Sequence, residues 1–192
     1  MHRHHLWIAI LAATATLGTT ASHADFIDDS NVQLKFKNFY LDRQYKEVPA
    51  KNWGSWTQGV ILDAKSGYHD LGAIQVGVDV LVQQAVRLNG RDQNPDWILP
   101  HNGKEQADYF GKVGATLKAK VGQTELRVGE ILPTTPIVYF DPSRQLLTTY
   151  DGVWLESKDI DKTKITLGYL DGINARYENQ MQIGRASCRE RV

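Results

Sequence analysis

The sequence predicts an all-β chain, an antiparallel meander forming the N-terminal part of a large transmembrane β-barrel that is incomplete as written. The first observation behind this is the stretch Gly72–Leu88. Ile74, Val76, Val78, Val80, Val82, Val86 and Leu88 share one parity there, while Gln75, Gly77, Asp79, Gln83 and Arg87 hold the other. Successive strand side chains point to opposite faces, so one face is oily and one is wet. A helix, with its period of 3.6, would scatter those aliphatics around its circumference. Soluble strands usually run about 5–6 residues, whereas a transmembrane strand needs roughly 9–11, apolar toward lipid and polar toward a lumen. The second observation is that connections along the chain alternate long and short. The third is that Tyr40, Trp53, Trp56, Tyr109 and Trp154 fall near strand ends, where interfacial aromatic girdles belong.

Both ends differ from the middle. Met1–His5 is basic, Leu6–Leu17 is apolar, and Ser22 and Ala24 are small, the three-part layout of a secretory signal. Residues 1–24 are therefore expected to be a signal peptide, with a mature start at Asp25; the apolar run is too short to span a bilayer. His2, His4 and His5 leave with it. Ile183–Val192, IGRASCRERV, carries the one cysteine and three arginines without alternation. It reads as sequencing-adapter DNA translated in one frame, so the natural sequence is expected to stop near Gln182 as a truncated piece. Removing four arginines and one glutamate with these ends from 22 basic and 22 acidic residues leaves 18 and 21, a mild minus three. That balance offers no basic face for nucleic acid.

In chain order, Val32–Arg43 is a first strand, its parity blurred at Asn38-Phe39 in the manner of a bulge. Gln44–Asn52 is a loop, and Trp53–Lys65 a second strand. Ser66–Leu71 turns into the Gly72–Leu88 strand. Asn89–Asp108 is polar, with two Asn-Gly pairs, Pro95 and Pro100; a loop this long asks for a functional reason. Tyr109–Val121 returns as a strand, with a tight turn at Gly122-Gln123 into Thr124–Ile131. Leu132–Asp151 is a second long connection. Gly152–Ser157 and Lys164–Leu170 close the pattern around the polar turn Lys158–Thr163, and beyond Asp171 the signal ends.

Catalytic signals are absent: no Gly-x-Ser-x-Gly, no phosphate-cradling glycine loop and no His-Glu-x-x-His. No cofactor or metal is expected. His69 and His101 lack ligand spacing, and Asp159-Ile160-Asp161 reads as a solvated turn rather than a calcium loop. From the residues alone, a secreted periplasmic β-sandwich that binds a partner or ligand competes with the barrel, as does a secreted β-rich hydrolase, which would require a nucleophile–base pair that the sequence does not display. In a sandwich the oily faces meet one another.

Several short words of the sequence resemble the OprD family of outer-membrane porins. They are Phe26-Ile27-Asp28-Asp29-Ser30, Asn38-Phe39-Tyr40 with Arg43, Trp56-Thr57-Gln58-Gly59, Gly77-Val78-Asp79, Thr124–Gly129, Pro133–Pro136 and Ser143-Arg144-Gln145-Leu146-Leu147. The resemblance covers Asp25–Tyr169, and the order of the blocks makes it specific. It implies a porin-type barrel in the outer membrane of a Gram-negative bacterium, in contact with lipid, often assembled as a homotrimer. Such a channel passes small carboxylate-bearing solutes such as amino acids or aromatic acids. It also implies an external loop folded inward to narrow the pore, which places Tyr139, Asp141 and Arg144 of Leu132–Asp151 at the constriction, and Arg43 on a basic wall. Where the family often has a basic residue before the second strand, this chain has Trp53 with Lys51 nearby. Arg87, Lys118, Arg127 and Lys164 have lumen parity, and lumenal arginines can hand a carboxylate onward through paired hydrogen bonds. Solute-conducting barrels need about 16–18 strands, so a chain with about seven strands is expected to form an open wall that does not conduct.

Overall fold

A computed structural model of the chain describes residues 26–49, 52–90, 94–178 and 182–183. The expected signal peptide, Lys51 and nearly all of the arginine-rich tail lie outside them. The fold is one antiparallel sheet: β1 (Asn31–Arg43), β2 (Trp53–Lys65), β3 (His69–Asp70), β4 (Gln75–Gly90), β5 (Tyr109–Val121), β6 (Thr124–Ile131), β7 (Thr149–Ser157), β8 (Ile165–Asn174) and β9 (Gln182–Ile183). Spatial order follows chain order, with β3 a small side flap on β4. Among the described residues β1 and β9 do not pair, so the sheet is open.

The exposure pattern is the reverse of a soluble protein's. On β5, Val113 and Leu117 are 65% and 66% exposed, whereas Lys112, Thr116 and Lys118 beside them are 9%, 7% and 8% exposed. Val32, Leu34 and Phe36 on β1 and Leu167 and Tyr169 on β8 continue the bare apolar face. A β-sandwich would have covered these side chains with a second sheet; among the described residues nothing covers them. The buried polar face is the one that the loops cross.

The register corrects several sequence expectations. β1 and β2 pair without interruption from Asn31↔Lys65 to Arg43↔Trp53, so no bulge sits at Asn38-Phe39. Asn38 stays on the outward row because Gln58 and Trp56 bond it: its Nδ2 donates to Gln58 Oε1 (2.9 Å) and its Oδ1 accepts from Trp56 Nε1 (3.0 Å). The register shift lies one strand over, where Trp56 and Thr57 face Asn89 and Arg87 and leave Leu88 unmatched. The long strand begins at Gln75, not Gly72, because Gly72 turns the chain with φ of 97° and Leu71 N–H donates to Ile74 O. β7 starts earlier and β8 runs further than alternation alone indicated. Tyr40, Trp56 and Tyr109 stand outward and exposed near one rim. Trp154 does not: it is 5% exposed on the inner face, seated over Gly168, where a Cβ would lie 2.5 Å from its ring. Trp53 is likewise off the outward row, under the Arg43 guanidinium at 4.7 Å.

Candidate functional site: the polar face and the loop that crosses it

Residues 132–148 leave the end of β6 and cross the inner face to reach β1, β2 and β4. Lys37 Nζ on β1 donates to Pro142 O (2.7 Å) and to Arg144 O. Thr57 Oγ1 on β2 donates to Gln145 Oε1 (3.0 Å), and Gln145 Nε2 donates to Lys37 O (3.1 Å). Leu147 N–H donates to Gln83 Oε1 on β4 (2.7 Å). Thr57, Gln83 and Gln145 are all fully buried. Every one of those wall residues belongs to the polar parity, so the face that alternation marks as lumenal is the face the loop occupies.

The other long loop supports it from the outer rim. Ile98 and Leu99 pack with Ala85, Phe110 and Leu146 into a small apolar core, flanked by Phe39 and Leu41. Ala85 and Phe110 are register partners on the inner face, so this core is lumenal, built between wall and loops. Asp96 anchors the segment: it accepts from Ser55 Oγ (2.5 Å), Ile98 N–H (3.0 Å) and Gln106 Nε2. Burying three aliphatics contributes about 1.5–3 kcal/mol each. That is the physical reason for a long 89–108 connection. Ile98-Leu99, between Trp97 and Pro100 in an otherwise polar stretch, was the available signal, too short to read as an element.

The expected site residues fall into three places along the face. Arg43 and Arg87 lie near the outer rim, Arg43 over Trp53 and Arg87 donating to Asp108 Oδ1 at 2.8 Å. Tyr139, Asp141 and Arg144 ride on the crossing loop. Tyr139 is exposed and stacks on Phe140 with ring centroids 5.0 Å apart. Asp141 accepts from Ser143 N–H (2.8 Å) and from Arg176 Nη1. Those Ser143 bonds, and then the guanidinium, hold its carboxyl below the usual range. Arg127 sits at the opposite end of the face, where its Nε donates to Glu125. Sequence reading missed Arg176, which follows the last readable alternation.

Around Arg127 a second cluster closes the inner end. The β2–β3 turn folds Tyr68 inward, so that its hydroxyl donates to Glu125 and its ring lies 4.9 Å from Lys118 Nζ and 5.5 Å from Lys120 Nζ. Burial, then that carboxylate, push the Tyr68 phenol above its ordinary value. Lys118 also donates to Asp79 Oδ1 (2.6 Å) and Ser66 O (2.7 Å). These groups border a cavity of about 440 Å³ with Asp63, Glu130 and Thr116. Lys164 lies just before β8 and pairs with Glu156 at 2.9 Å. Asp159 is a turn brace, accepting from Gln123 N–H (2.8 Å) and Thr124 Oγ1. No described group of three or more His, Cys, Asp or Glu residues is arranged to hold a metal. The face is chemically a row of fixed donors and charges.

Comparison with known proteins agrees with this architecture. The model of the OprD family of outer-membrane porins matches residues 24–190. The porin-like protein GalP of Pseudomonas putida is 33% identical over 178 residues, covering 91% of this chain and 43% of its own length. Among solved structures, Acinetobacter baumannii OccAB2 superposes with a TM-score of 0.77 at 40% identity, covering 82% of this chain and 40% of that one. Pseudomonas aeruginosa OpdK with vanillate superposes at 0.74 and 32% identity, with coverage of 82% and 40%. The chain thus spans about two fifths of the length of these relatives. An open sheet with its greasy face bare, its polar face crossed by a loop and this match over most of its length make the chain a member of the OprD family of Gram-negative outer-membrane porins.

Proposed function

We propose that this chain builds the first wall and the constricting loop of a channel for passive, partly selective uptake of small carboxylate-bearing solutes. The observation that carries the reading is the loop's set of hydrogen bonds to Lys37, Thr57 and Gln83, which narrows any lumen on the polar face. Arg43 and Arg87 meet the solute at the outer rim, Arg144 and Tyr139 border the narrow point, and Arg127 lies beyond it. Asp141 supplies the opposing sign, so that a field runs across the opening. A relative solved with vanillate, an aromatic carboxylate, supports the solute class. The wall closes only with the remaining strands, since an open edge cannot face lipid unpaired. The resemblance supports a homotrimer for the complete barrel.

Liposome swelling tests this. With the complete barrel reconstituted, benzoate should enter faster than benzyl alcohol, and Arg43→Ala, Arg87→Ala and Arg144→Ala should each slow benzoate by roughly three- to tenfold, the worth of one partly screened charge-assisted bond. Residues 25–182 alone should give no uptake. Equal entry of charged and neutral solute, or swelling with the wall fragment alone, contradicts the proposal.

A further inference from the structure

We infer that Gly59 is the seat of the inward loop, and that the amide of Gln145 lodged in it positions the constriction. Two sequence words separated by more than eighty residues, Trp56-Thr57-Gln58-Gly59 and Ser143-Arg144-Gln145-Leu146-Leu147, meet here in space. A Cβ built on Gly59 would lie 1.9 Å from Gln145 Nε2 and 3.1 Å from Gln145 Cδ. Any side chain at position 59 evicts the amide. The backbone of Gly59 sits mid-strand on β2 opposite Lys37 and Ala85 and is not among the positive-φ glycines. Glycine is therefore not needed for the backbone here. In a strand interior it weakens the strand, and it often marks close approach of another group.

The lodged amide is satisfied on both ends, by Lys37 O and Thr57 Oγ1. Gln145 itself is 0% exposed. A buried amide whose partners are fixed on two neighbouring strands locates the loop against the wall, because displacement leaves several polar groups unpaired. Gln83 repeats the device one strand along by accepting the Leu147 N–H. Gln145 is uncharged, so this seat, unlike the Lys37 contacts and the Asp141–Arg176 pair, is held by groups that neither protons nor salt release. Gly59 and Gln145 are thus positioning residues: they touch no solute, and they act by setting where Tyr139, Asp141 and Arg144 stand.

This inference rests on the loop being the constriction, and the test separates the two. Amide hydrogen exchange at Leu147 reports seating, and single-channel conductance reports the pore, both in the complete barrel. Gly59→Ala should accelerate Leu147 exchange on the order of tenfold, the effect of losing one buried hydrogen bond, and should raise conductance and current noise. Gln145→Ala, which introduces no clash and keeps the inference testable if Gly59→Ala fails to fold, should do the same. In the Gln145→Ala background, Gly59→Ala should add nothing further, since the two changes remove one shared contact. Unchanged exchange in Gln145→Ala, or additive effects in the pair, overturns the seat. Faster exchange with unaltered conductance leaves the seat standing and overturns the constriction reading.

Discussion

At the scale of residues, the sign of hydrophobic exposure distinguishes this protein from a globule. Leu117 is two-thirds bare while its neighbours Thr116 and Lys118 are covered. In water that arrangement would be self-defeating, because buried charges need partners and exposed aliphatics prefer removal from water. Against hydrocarbon it is the stable choice. Leu117→Arg should therefore destabilise the complete barrel in bilayers by about 2–4 kcal/mol, as for a cation near the midplane. Lys35→Gln, on an exposed position of the inner face of β1, should stay within about 0.5 kcal/mol. Urea titration in liposomes checks both, and equal costs would contradict the assignment of faces. Parity in the sequence was enough to name these faces. It was not enough for Asn38, whose outward amide is matched by Gln58 and Trp56 across the register, or for Trp154, whose inward place depends on Gly168 one strand away. Both depend on cross-strand partners that a single strand does not display.

At the scale of elements, strands were legible and loops were not. A strand announces itself by period 2, and β2, β5 and β6 carry the very bounds that alternation indicates. The crossing loop has no period, and only the family resemblance pointed inward. What fixes it is a set of amide side chains, Gln83 and Gln145, that look like ordinary polar residues when read in line. Its far side is tied by Asp141 to Arg176. Hydrogen bonds from Ser143, reinforced by the guanidinium, depress the Asp141 pKa, so the carboxylate contributes stability above the ordinary carboxylate pKa, about 4. That contribution disappears as pH falls through the depressed folded value. Single-channel current should be steady from about pH 7 to pH 5 and become noisy only below about pH 4, and Asp141→Asn should already be noisy at neutral pH. Onset of noise near pH 6 would assign the tie to a different group.

At the scale of the molecule, short connections at one rim and long ones at the other give a meander whose two edges, β1 on one side and β9 on the other, are open among the described residues. Two of the long connections fold back over the polar face and build there the apolar core that the wall cannot have on its lipid side. In the proposed channel stability and selectivity would share the same place, because Ile98, Leu99 and Leu146 pack the two loops against the wall. The sequence could not show this core, because its members come from β4, β5 and two loops, each contributing one or two residues. All of it depends on which face meets hydrocarbon. Fluorescence quenching by brominated lipid, with a single reporter placed in turn at Val113, Thr116, Leu117 and Lys118 of the complete barrel, measures that directly. Strong quenching at 113 and 117 with little at 116 and 118 is the result expected; the opposite alternation, or none, would contradict the account.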